Sequence, residues 1–235
     1  LVAYLVVASA GTLLLAVGLG TAGTLAAALF YLVNSTLTAA VWFLLAECIV
    51  VARGGSDALK PRPLAQGWMP LGLAYLVAAV AVAGLPPLGG FLGKALLLQA
   101  AGSTGWAVWT VAGVLGASLA TMVALARAGS VLFWHGGGGG QEGGKEGGKE
   151  GASLPSTAPR LAHRDTLAPQ AAAITGLLAA VLAVAVLAGP LSRYTEATAR
   201  QLLAPGGYIA AVMGAQAVAP AYDLRKEMRE RGDAK

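Results

Sequence analysis

The sequence predicts an all-α integral membrane protein with about five transmembrane helices, one of them broken at Pro86 and Pro87. Three observations carry this reading. Of 235 residues, 57% are hydrophobic and only 11% charged, whereas a soluble domain carries roughly 25% charged residues. The apolar residues fall in long runs near the ~20 residues that a helix needs to cross a bilayer, not in the short alternating segments of a membrane barrel. And one run is too long for a single helix and carries its own breaker, "GLPPLGGFLGK".

The first run covers 1–19 and closes at "GLGTAGT"; the second covers 25–51; the third, with the breaker, covers 70–101. The fourth covers 106–134 and the fifth 169–187. These runs divide the chain into four helices over 1–135, a glycine-rich cytoplasmic linker at 136–168, a last helix at 169–190, and an interfacial segment with a polar tail at 191–235. The chain opens apolar, without Met or a basic stretch, so no signal peptide is expected and the sequence reads as the back part of a longer membrane protein.

Charge gives orientation. Net charge is +5 and the isoelectric point about 9.6, but the basic residues sit between apolar runs, so no nucleic-acid partner is expected. Arg53, Lys60 and Arg62 lie in one loop; Lys145, Lys149, Arg160 and Arg164 lie in another. Basic loops stay cytoplasmic, which places 53–66 and 136–168 inside and the uncharged "GTAG" and "AGSTG" outside. The tail then falls outside, where its basic residues fit the rule poorly.

Several motifs are set aside. Gly139, Gly144 and Lys145 match phosphate-loop spacing, but Glu146 stands where Ser or Thr must bind magnesium, and no strand precedes it. His135 and His163 flank the linker as solvated residues, and no His/Cys cluster has metal-ligand spacing, so neither metal nor cofactor is expected. Cys48 reads as a buried, inert thiol.

The breaker is the informative segment. At about 1.5 Å per residue, a helix over 70–101 would overrun a ~30 Å hydrocarbon core. Pro86 and Pro87 remove backbone donors, and Gly84, Gly89 and Gly90 let the chain leave helical geometry. Lys94 follows at the start of the second half-helix. A charged side chain at mid-membrane costs about 2.5–3.5 kcal/mol and marks a proton or ion pathway; the simpler alternative is a structural lysine that snorkels to the interface. In the second run, Asn34, Ser35, Thr36 and Thr38 form a polar cluster, with Asn34 and Thr38 on one helical face. They either line a hydrated path or join helices by hydrogen bonds. Glu47 reads as a proton acceptor or as the partner of Arg53.

"AGLPPLGGFLGKALLLQAA" resembles the broken-helix signature of the antiporter-like membrane subunits shared by Mrp-type multisubunit cation/proton antiporters and respiratory complex I. "LAAALFYLVNSTLTAAVWFLLAECI" and "LVAYLVVASAGTLLLAVGLG" resemble the two helices before it, and "ALARAGSVLFW" with "GPLSRYTEATARQLLAPGGYIAAVMG" is most similar to Mrp subunits of the D type. The resemblance implies the C-terminal portion of a 14-helix bundle in a bacterial inner membrane, working with other subunits to exchange protons for Na+ or K+. It implies a proton-translocating role for Lys94; Asn34, Ser35, Thr38 and Glu47 are added to the expected path from the residue reading above. The family often has histidine where Asn34 stands and lysine where Ala39 stands, which weakens the expected link to Lys94. Its essential glutamate and further lysines lie upstream, so this portion alone is not expected to transport. The alternatives are a proton-pumping subunit of complex I or a related hydrogenase, and a truncated subunit with a packing role only.

Overall fold

The structure, a computed structural model, describes residues 1–53, 69–134 and 164–214, with side chains of 164–168 excepted. The described residues are helical throughout: α1 (Val2–Gly18), α2 (Ala22–Ala52), α3 (Met69–Ala83), α4 (Gly89–Ala101), α5 (Ala107–Gly129), α6 (Arg164–Val186), α7 (Ala188–Leu203) and α8 (Gly206–Met213). Of the expected basic loop over 53–66 only Arg53 is described, and of the expected linker over 136–168 only 164–168, which begin α6 and so are helical rather than linker; the rest of both, and the polar tail beyond 214, lie outside the described residues. Two compact units divide the chain, Leu1–Ala199 and Arg200–Lys235; the second contains α8.

In the first unit α2 is the central element, and α1, α3, α4 and α6 pack around it. Its start is fixed locally by a reciprocal cap: Thr21 Oγ1 accepts from the Thr24 N–H at 3.1 Å, and Thr24 Oγ1 accepts from the Thr21 N–H at 3.2 Å. Buried positions recur along the whole helix, from Phe30 and Asn34 through Thr38, Val41 and Leu45 to Cys48. The helices Ala22–Ala52, Ala107–Phe133 and Pro169–Val186 are each long and apolar enough to cross a membrane, and Val2–Gly18 and Met69–Ala83 are shorter apolar helices.

The expected break over 70–101 is present. At about 1.5 Å per residue α3 and α4 each rise only ~20 Å, so they form one crossing between them. The fourth span continues past α5 as a π-helical turn over Ser130–Trp134. The last span ends at Val186, one residue before the end of the expected run at 169–187 and four before the end of the 169–190 segment, and Pro190 accounts for the stop. A proline clashes with the carbonyl four residues back, which here is that of Val186, so the helix stops there and α7 restarts with Pro190 in its first turn. α7 is amphipathic, burying Thr195 and Ala199 and exposing Tyr194 and Leu202.

Small residues are placed inside beside larger ones such as Phe30, Leu45 and Leu97. Ala16, Ala27, Ala78, Ala81 and Ala101 are buried, whereas Leu14, Phe43, Trp109 and Leu119 face outward. A soluble chain could not expose that much apolar surface; in lipid, where apolar burial gives no drive between helices, small residues let backbones approach and gain van der Waals contact. The α2–α4 seam shows it. A Cβ on Gly93 would stand 3.0 Å from Tyr31 Cδ2 and 3.3 Å from Tyr31 Cα, and one on Gly23 would stand 3.1 Å from Ala100 Cβ.

Midway along α3, Tyr75 is the fastener. Its hydroxyl donates to the Leu125 carbonyl at 2.8 Å, and its ring meets Trp42 edge-on at 5.1 Å and Phe133 at 5.3 Å. Gly129 makes room for it, since a Cβ there would stand 3.0 Å from Tyr75 Cε1.

The seam makes a stability prediction. Gly93→Val should destabilise the purified protein by about 1–3 kcal/mol through overpacking, while Gly116→Ala, which meets nothing within 4 Å, should be neutral or stabilising. Thermal unfolding in detergent checks this; equal midpoints for both variants would contradict the close approach of α2 and α4.

Candidate functional site

An α-helix leaves its last four carbonyls without intrahelical partners, and in a membrane each must be satisfied by protein. The end of α3 accounts for them one by one. Gly84, at φ +79°, takes the left-handed conformation that terminates the helix, and the Leu85 N–H reaches back to the Val80 carbonyl at 3.2 Å in a Schellman pattern. The Ala81 carbonyl faces Gly90 so closely that a Cβ there would overlap its oxygen. The remaining two belong to Lys94, whose Nζ donates to the carbonyls of Val82 at 3.2 Å and Ala83 at 3.0 Å. Pro86 and Pro87 carry no N–H to compete, their mutual peptide bond is cis, and the Leu88 N–H closes the turn onto the Leu85 carbonyl at 3.3 Å.

Each glycine of the breaker therefore has a separate task. Gly84 supplies the positive φ, and a Cβ on it would come within 2.9 Å of Lys94 Cδ. Gly90 admits the Ala81 carbonyl. Gly89 admits Asn34, whose Oδ1 would lie 2.7 Å from a Cβ at that position. Lys94 is half-buried. Its ammonium lies at the C-terminal, negative end of the α3 dipole, a favourable place for a cation.

The third donor of Lys94 goes to Ser118 on α5, Nζ to Oγ at 2.9 Å. Ser118 in turn donates to the Val114 carbonyl at 2.8 Å. Beside Nζ is a crevice of about 10 Å³, on the order of a single water. Its polar lining is Ser9 and Thr12 from α1, Tyr31 from α2, Lys94, and Ser118 and Thr121 from α5. Tyr31 interacts with the side chains of Ser9 and Thr12. A second crevice, also about 10 Å³, shares Leu5, Ser9 and Val82 with the first and reaches Ser35, Ala39 and Trp42. No carboxylate lines either crevice among the described residues; neutral oxygens surround the ammonium.

The residues singled out from sequence are brought together only in part. Lys94, Gly84, Gly89, Gly90 and Asn34 meet at the break. Asn34 is 2% exposed and its Oδ1 has no hydrogen-bond partner. Thr38 bonds back to the Asn34 carbonyl at 2.7 Å, and Ser35 and Thr36 bond back to the Leu32 carbonyl at 3.1 and 2.8 Å. Their hydroxyls are thus held by their own helix rather than by a neighbour. Ser35 reaches the second crevice only. Glu47 is exposed and stands apart from Lys94; thirteen residues after Asn34, it is turned by roughly 220° around α2.

Sequence reasoning missed Ser118, Thr121, Ser9, Thr12 and Tyr31. A signal was available: Ser9 and Thr12, like Ser118 and Thr121, are three apart on a helix and share a face.

The chain is similar to known membrane proteins. Residues 1–120, which contain the break, Lys94 and Ser118, match the family described as NADH:quinone oxidoreductase/Mrp antiporter, TM. A probable K(+)/H(+) antiporter subunit of the D type from Rhizobium meliloti (strain 1021) is 35% identical over 239 aligned positions, covering 87% of this chain and 39% of the relative. A chain in the structure of the Mrp complex from Dietzia sp. DQ12-45-1b superposes with a TM-score of 0.65 at 23% identity, over 87% of this chain and 42% of that one. The second likeness is one of fold. The chain spans about two fifths of the length of each. From the broken helix, its lysine and the match across 1–120, the chain belongs to the NADH:quinone oxidoreductase/Mrp antiporter transmembrane family.

Proposed function

We propose that this chain is part of a subunit of a multisubunit monovalent cation/proton antiporter, a secondary transporter and not an enzyme. It exchanges protons for Na+ or K+ in a bacterial inner membrane, together with other membrane subunits. The observation that carries the reading is the seat of Lys94: an ionisable amine at the break of a membrane helix, bonded to two carbonyls and a hydroxyl, beside a crevice with polar walls. An amine without a paired carboxylate is not locked into its charged form by an ion pair, so it can release and regain a proton. Asn34 supports the second half-helix at Gly89, and Gly84, Pro86 and Pro87 hold the break. Ser35 and Thr38 shape α2 beside the route, and Glu47 contributes at the far end of α2.

The matched family also takes in NADH:quinone oxidoreductase subunits, so a proton-pumping role in such an enzyme is the second reading. The full complex separates the two: co-purifying flavin or iron–sulfur absorbance would favour the oxidoreductase, and its absence together with cation-driven proton movement favours the antiporter.

Two substitutions test the site in the full-length protein. Lys94→Ala should abolish cation-driven proton movement in inverted vesicles while the complex still assembles; wild-type antiport from this variant would falsify the assignment. Lys94→Arg keeps a cation at the α3 carbonyls but cannot release its proton, so it too should be inactive, whereas a purely structural lysine would tolerate it. Gly84→Ala places a Cβ against Lys94 at a positive φ and should cost about 1–2 kcal/mol of stability. It should also lower antiport below what the loss of assembled complex explains, as read from rate per assembled complex on native gels.

A further inference from the structure

Resting on that reading, we propose that Ser118 is a positioning residue that lets Lys94 hold either protonation state in the same seat. An ammonium has three donors and no acceptor, and the structure supplies three acceptors: the carbonyls of Val82 and Ala83 and the hydroxyl of Ser118. Proton release changes the demand. The neutral amine keeps two N–H groups and gains a lone pair, which needs a donor. The two carbonyls can only accept. Ser118 alone among the three can do both.

The geometry makes the exchange simple. In the charged state Ser118 Oγ accepts from Nζ at 2.9 Å and its own proton points to the Val114 carbonyl at 2.8 Å. The N–H directed at Ser118 turns to a water in the crevice lined by Ser9, Thr12, Tyr31 and Thr121 and releases its proton there, so that the two N–H groups on the carbonyls remain. The electron pair left on Nζ then accepts the Ser118 O–H, which rotates away from Val114. That rotation strands nothing, because within α5 the Val114 carbonyl is also the acceptor for the backbone N–H of residue 118. Regaining a proton reverses both movements. No heavy atom has to travel, so the break stays capped through the cycle.

The test uses the full-length protein in its complex, with antiport measured in inverted vesicles and assembly measured on native gels. Ser118→Ala should slow antiport roughly ten- to hundredfold, the loss of one hydrogen bond to a charged group, with assembly retained. Ser118→Thr, which keeps the hydroxyl, should restore most of the rate; Ser118→Val, of the same shape without the hydroxyl, should not. Equal and measurable rates for assembled Thr and Val variants, or a wild-type rate for Ser118→Ala, overturn the proposal. If both branched variants fail through bulk, or Ser118→Ala fails to assemble, Ser118→Cys decides. It retains a weak donor and acceptor and should exceed the rate of Ser118→Val, and a rate no higher than that of Ser118→Val overturns the inference. Lys94→Ala in the same vesicles separates the two levels: if it is inactive while Ser118→Ala is normal, only the Ser118 inference falls, and if Lys94→Ala is itself active, both fall.

Discussion

The molecule is organised around one rule of the bilayer interior, that a backbone carbonyl exposed by a broken helix must find a partner inside the protein. The break in the third crossing creates four such carbonyls at once. One is closed by the turn itself and two by the ammonium of Lys94, while the fourth, that of Ala81, packs against Gly90. The cation and the defect stabilise each other: the carbonyls offset the desolvation of the ammonium, and the ammonium satisfies groups that lipid would leave bare. This reciprocity explains how a lysine persists where a charged side chain is otherwise costly.

The same rule explains why glycine and alanine crowd the site. Bringing Ala81 against Gly90, Asn34 against Gly89 and Tyr31 against Gly93 needs backbones closer than ordinary side chains permit. The sequence meets that need where α4 faces α2 and α3, and it turns its large side chains outward. The ammonium is thereby positioned by packing between helices. The Tyr75 hydroxyl, midway along α3, completes the arrangement, so that half-helix is fastened at its middle to α5 and at its C-terminal end to Lys94 by side-chain bonds to backbone carbonyls.

Much of this was legible in the sequence. The prolines and glycines of "GLPPLGGFLGK" announced a break, and its length against the hydrocarbon thickness required one. Lys94 stood out because ionisable residues are rare in such runs. What could not be read was the third dimension of the contact. Ser118 is one small polar residue in an apolar helix, and only the packing of α5 beside α4 gives it meaning. The polar cluster of α2 was visible, but not that Ser35, Thr36 and Thr38 direct their hydroxyls into their own backbone. The exposure of Glu47 was within reach, since counting helical turns from Asn34 already carries it to another face. The stop at Val186 matches the end of the apolar run at 187, and the clash with Pro190 gives its local cause.

The shortness of the two half-helices also bears on how the chain is threaded through the bilayer. Neither α3 nor α4 reaches across by itself, so they count as a single passage and the parity of the remaining crossings is preserved. The chain enters α3 on one side and leaves α4 on the other, just as an unbroken segment would. Neither piece alone has the ~20 apolar residues of a complete span; only the pair, with Lys94 near its joint, has that length.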